Sequence, residues 1–94
     1  MIKARPNDPA PHANYGVTAA MSGLQLERGE RELKYFLDRR PETTPSVLLS
    51  GLHFRLGQIY QKTTRPDQAK AAYNEALKLN PKNEDARKAL AALK

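Results

Sequence analysis

Four prolines set the reach of every element in the second half of this chain. Pro41, Pro45, Pro66 and Pro81 divide it into pieces of helical length, because proline lacks the amide a helix interior needs and fits only its first turn. Within the pieces, apolar residues recur at steps of three and four. Leu26, Leu33, Phe36 and Leu37 precede Pro41, and Val47, Leu48, Leu52, Leu56, Ile59 and Tyr60 follow Pro45. Ala69, Ala72, Tyr73, Ala76, Leu77 and Leu79 follow Pro66, and Ala86, Ala89, Leu90 and Leu93 follow Pro81. This is the period of amphipathic helices, and no stretch alternates as a strand does. Val and Ile together number four, which also speaks against a sheet.

The flanking residues predict the ends. Thr44 is placed to cap a helix opening at Pro45, Thr63 or Thr64 one opening at Pro66, and Asn83 a last one. Arg39 and Arg40 suit a helix C-terminus, and Glu84 and Asp85 an N-terminus. A further helix over about 12–22 rests on Tyr15, Val17, Ala19 and Ala20, and is weakened by Gly16 and by Gly23 beyond it. Residues 1–12, with Pro6, Pro9 and Pro11, read as an extended or disordered leader, and 13–94 as a single helical domain.

One residue breaks the helical logic. Gly57 lies in the middle of HFRLGQIY, where glycine costs about 0.5–1 kcal/mol relative to alanine. The spacing of its neighbours accounts for it. His53, Leu56, Gly57 and Tyr60 are followed by Ala69, Tyr73, Ala76 and Pro81. This resembles the tetratricopeptide repeat, a helix–turn–helix unit of 34 residues, over about residues 50–83. A shift of 34 carries Leu56 and Gly57 onto Leu90 and Ala91, so the last helix resembles the polar cap that closes such arrays. A shift back by 40 aligns Ala69, Tyr73, Ala76 and Pro81 with Gly29, Leu33, Phe36 and Pro41, a degenerate earlier unit with about six additional residues near 42–49. The resemblance implies an all-α fold: a short α–α superhelix of antiparallel helix pairs, four or five helices in all. His53, Leu56, Gly57, Tyr60, Ala69, Tyr73, Ala76 and Pro81 are then packing residues, with small side chains where two helices cross.

Catalytic chemistry has little to work with. The chain has no cysteine and only two histidines, His12 and His53, 41 positions apart and without a metal-ligand spacing. Ser22, Ser46 and Ser50 lack the glycine context of an exposed nucleophile. No enzyme, metal or cofactor is expected. No apolar run approaches the length of a membrane span, so membrane insertion is not expected. The first residues do not read as a signal peptide; as written the chain suits the cytoplasm, and export would require a signal removed from a longer precursor.

What the resemblance implies instead is binding. The first helix of each unit lines a concave groove that takes a peptide or partner helix, here through Gly51, Phe54, Gln58, Gln61 and Lys62. A non-catalytic module with a protein or peptide partner is therefore expected. A homodimer is the alternative, because Leu24, Leu33 and Leu37 would form a bare apolar face if nothing covered them. The net charge of +6 raises nucleic acid as a third partner, with Lys3, Arg5, Arg39 and Arg40 as a basic patch. No exposed aromatic residues interleave with those cations, so nucleic acid is not expected.

Overall fold

In the computed structural model, which describes residues 10–93, five helices follow one another in antiparallel steps. They are α1 (Ala10–Ser22), α2 (Leu26–Arg39), α3 (Ser46–Lys62), α4 (Pro66–Leu79) and α5 (Glu84–Ala92). No strand occurs among the described residues. α1 pairs with α2, α3 with α4, and α5 packs on α4. The leader expected over 1–12 lies outside the described residues up to residue 9, and 10–12 already belong to α1. Lys3 and Arg5 of the expected basic patch also lie outside them.

The crossing of α3 and α4 is made by the glycine that looked like a flaw. A Cβ on Gly57 would stand 2.6 Å from Cδ1 and 2.8 Å from Cζ of Tyr73, and closer still to Cε1. Tyr73 is fully buried there. Ala69 and Ala76, also fully buried, keep α4 close to its partner helix.

The first pair repeats this device with other residues. A Cβ on Gly16 would lie 2.8 Å from Leu33 Cδ2 and closer to Cγ, and one on Gly29 would lie 2.5 Å from Ala19 Cβ. Gly16 thus stands to Leu33 as Gly57 stands to Tyr73. This is the physical reason a glycine-weakened helix forms at α1: close packing on α2 replaces the propensity it lacks. It also covers the face expected to be bare. Leu33 is fully buried and Leu37 half-buried, so of that set only Leu24, at 69%, stays exposed.

Between the pairs, Ile59 reaches Gly29 and Lys62 Nζ donates to Ala20 O at 2.6 Å. The C-terminal ends of α1 and α3 are therefore neighbours. α3 has 17 residues against 13 in α1, so its first turn extends beyond the start of α1. That corrects one expectation: Val47 and Leu48 are exposed, and the core begins at Leu49 and Ser50. The salt-bridged Glu30 ties the same seam. Its carboxylate accepts from both terminal nitrogens of Arg65 and from Lys34 Nζ at 2.9 Å, with the Tyr60 ring beneath both cations.

Two predicted caps are replaced. Thr44 Oγ1 turns back to donate to Pro41 O, and α3 starts at Ser46 with Pro45 before it. Thr63 Oγ1 donates to Ile59 O at 2.8 Å, while Thr64 adopts a left-handed φ of 59° and Arg65 precedes Pro66. Both hydroxyls donate to a carbonyl of the preceding turn instead of accepting from the amides ahead of them. Asn83 does cap α5, accepting from the amide of Ala86 at 3.0 Å.

Candidate functional site

A hollow of about 390 Å3 opens between α3 and α5, with α4 as its floor. α3 contributes Phe54, Gln58, Gln61 and Lys62, α4 contributes Tyr73, and α5 contributes Asp85, Lys88 and Ala89. Helical spacing explains the first set: steps of four, three and one put residues 54, 58, 61 and 62 on one face. Val47 and Gly51 continue that stripe toward the start of α3. Gly51 is half-buried and lines no part of the hollow; a Cβ there would meet nothing within 4 Å.

The floor is aromatic. Phe54, half-buried, sets its ring 5.8 Å from that of Tyr73, tilted by 39°. Arg55 lies over the same Phe54 ring at 5.2 Å. Phe54 thus both packs inward and shows part of its surface to the hollow. The rim is polar and its hydrogen bonds are internal: Arg55 Nη1 donates to Gln58 Oε1 at 2.9 Å, and the Tyr73 hydroxyl donates to Gln61 Oε1. Burial pushes the Tyr73 phenol above its ordinary 10.0, so it keeps its proton.

The packing residues named from the sequence divide by depth. Leu56, Gly57, Tyr60, Ala69, Tyr73 and Ala76 are buried, His53 is half-buried, and Pro81 is exposed in the turn between α4 and α5. His53 lines a second hollow on another face of α3 and α4, with Leu56, Tyr60, Gln68, Ala72 and Glu75 among its walls. Desolvation lowers the His53 imidazole below 6.5, with Glu75 opposing that shift. Among the described residues, no three His, Asp or Glu side chains come together as metal ligands would, and no helix is long and apolar enough to cross a membrane.

Two features of the site were not named from the sequence. The spacing makes Tyr73 a packing residue, and its buried ring also floors the hollow. Asp85 enters the lining alongside Lys88. The shift of 34 residues held that signal, because it carries Gly51 and Phe54 onto Asp85 and Lys88. Ser50 is the other residue whose role depends on packing. Fully buried, it donates to Ala76 O at 2.7 Å and accepts from Asn83 Nδ2 at 2.9 Å, tying the start of α5 to the α3–α4 pair. One wall of the hollow is thereby held against the other.

The spacing of Leu56, Gly57, Tyr60, Ala69, Ala76 and Pro81 and the crossing of Gly57 on Tyr73 agree with a comparison against known families, in which residues 50–83 match the tetratricopeptide repeat. The match covers 34 of the 94 residues. The matched segment runs from within α3 through α4 to the turn before α5, and α1–α2 has the same helix–turn–helix form. No curated protein and no solved structure matches the chain. Repeats of this kind serve in general in protein–protein interaction.

Proposed function

We propose that the chain is a non-catalytic adaptor that seats a peptide or partner helix in the hollow between α3 and α5. The observation that carries this reading is the lining itself. Residues from three helices converge on one concavity with an aromatic floor, half-exposed apolar surface and a polar rim, the composition expected of a recognition site. Ser50 and Asn83 hold α5 in place, so the concavity is preformed and a ligand need not order it.

The test is capture of partners from a native extract with the intact chain and with three variants. Phe54→Asp and Gln58→Ala alter the hollow, while Lys70→Glu alters an exposed position of α4 outside its lining. Loss of the same captured species with the first two variants, and retention with the third, supports the groove. Equal capture by all four proteins rules it out.

Self-association is the second reading the sequence offers. It is less well supported, because Leu33, the residue that most required a partner chain, is already covered by α1. A mass near 10.5 kDa at every concentration in light scattering excludes the dimer. Many cations are occupied within the chain. Arg28 and Arg39 stack on Tyr15 and Tyr35, at 4.6 and 4.1 Å from the ring centroids. These contacts favour a protein partner over nucleic acid, which depends on cations and aromatic faces being available.

A further inference from the structure

We propose that the hollow takes an acidic peptide segment, one with aspartate or glutamate flanking an apolar side chain. This rests on the groove reading above and adds the chemistry of the ligand.

The internal hydrogen bonds of the rim decide which groups are left for a ligand. Arg55 can only donate, so the atom of Gln58 that meets it at 2.9 Å has to be the carbonyl oxygen, which turns the Gln58 NH2 outward. Gln61 is arranged alike: its oxygen accepts from the Tyr73 hydroxyl, and its NH2 remains for a ligand. Lys62 spends one N–H on Ala20 O and has two more. Lys88 is exposed and makes no ion pair with a carboxylate among the described residues. Four groups around the hollow therefore present donors. The single carboxylate in the lining is Asp85.

A donor-rich rim is best satisfied by oxygens, and two ammonium groups favour charged ones. The Arg55 guanidinium beside Phe54 adds positive potential on the same side. The floor of Phe54, Tyr73 and Ala89 asks for something apolar, and a hollow of about 390 Å3 has room for one or two side chains. An acidic segment with a central leucine or phenylalanine meets both demands. Asp85 opposes it, which gives the reading a sign that a merely apolar groove lacks.

The experiment uses three hexapeptides, acetylated and amidated so that no terminal charge remains. The first has a central Leu-Phe flanked on each side by two glutamates, the second has glutamine in place of glutamate, and the third has lysine. Backbone amide shifts of the full chain report where each binds and how tightly. The expected result is shifts in α3 and α5, with the acidic peptide about tenfold tighter than the glutamine one, as several exposed charge contacts would give. The lysine peptide should be weakest. Lys88→Ala should weaken the acidic peptide about two- to fivefold, and Asp85→Asn should tighten it by a similar factor. Raising salt from about 0.05 to about 0.5 M should reduce the preference.

Glutamine or lysine peptide binding as tightly as the acidic one in α3 and α5 overturns the inference and leaves the groove reading standing. A short oligothymidylate that outcompetes the acidic peptide there also overturns it. No shift in α3 and α5 with any of the peptides, together with unchanged capture by Phe54→Asp, overturns both.

Discussion

Gly57→Ala is a one-carbon test of how α3 and α4 are held together. The added Cβ would meet Tyr73 Cδ1 at 2.6 Å and Cζ at 2.8 Å, where carbon–carbon contact is comfortable at about 3.5–4.0 Å. An overlap on the order of 1 Å has to be relieved by moving either the ring or the helices. The ring has little freedom: it is fully buried, its hydroxyl is bonded to Gln61, and Phe54 lies beside it. Overpacking of this kind costs about 1–3 kcal/mol, while alanine regains about 0.5–1 kcal/mol of helix propensity. The net expectation is a loss of about 0.5–2 kcal/mol, which for a domain of this size lowers Tm by about 3–12 °C. Gly51→Ala supplies the control on the same helix. It meets nothing within 4 Å, so only the propensity gain of about 0.5–1 kcal/mol applies and Tm should rise. Thermal unfolding followed by circular dichroism measures both. Tyr73→Leu in the Gly57→Ala background should recover part of the loss, because it removes the atoms in collision, and a double-mutant cycle would read that coupling. A Gly57→Ala chain at least as stable as the parent, or a Gly51→Ala chain destabilised to the same extent, would refute the crossing-point explanation. Gly57→Leu should be worse than alanine by several kcal/mol, since it overfills the same space.

The other perturbations probe the first pair, the tie to α5 and the seam between pairs. Gly16→Ala should destabilise by about 1–2 kcal/mol, because its Cβ collides with the fully buried Leu33 more than propensity can offset; urea unfolding would show it as a lower midpoint. Ser50→Ala strands Asn83 Nδ2 and takes a donor from Ala76 O, so a loss of about 1–3 kcal/mol and faster amide exchange in α5 are expected. Equal exchange in α5 would contradict the tie. Arg65's hydrogen bonds hold the Glu30 carboxyl below its ordinary 4.5, with Lys34 helping against desolvation. A carboxyl whose folded pKa is depressed contributes stability above its unfolded value and loses it as pH falls through the folded one. Glu30→Gln should therefore flatten the decline in stability below about pH 4.5, read from urea midpoints across that range, and a parallel decline in the variant would show that the seam is not a source of it.

What could be read in advance depended on how local the cause was. Prolines act on their own turn, so Pro41, Pro66 and Pro81 marked helix limits that the structure keeps, and the period of apolar residues located all five helices. The Leu56-Gly57 and Tyr60 pattern, with Ala69, Ala76 and Pro81 downstream, was legible as a repeat because its residues keep a fixed spacing along the chain. Val47 and Leu48 show where that reasoning ends. Their period is that of core residues, but burial also requires a neighbour, and α1 is too short to provide one.

The sequence by itself determined the kind of fold and the face of α3 on which Phe54, Gln58, Gln61 and Lys62 stand, because helix period and proline placement are properties of neighbouring residues. Only the tertiary structure decided that Gly16 is to Leu33 what Gly57 is to Tyr73, since a glycine in a weak helix has no visible purpose until the side chain across the crossing is known. The packing likewise made Tyr73 a floor, brought Asp85 and Lys88 opposite Phe54, and occupied the Gln61 oxygen with the Tyr73 hydroxyl. Those outcomes depend on atoms far apart in the chain whose approach is set by the closest contacts between helices.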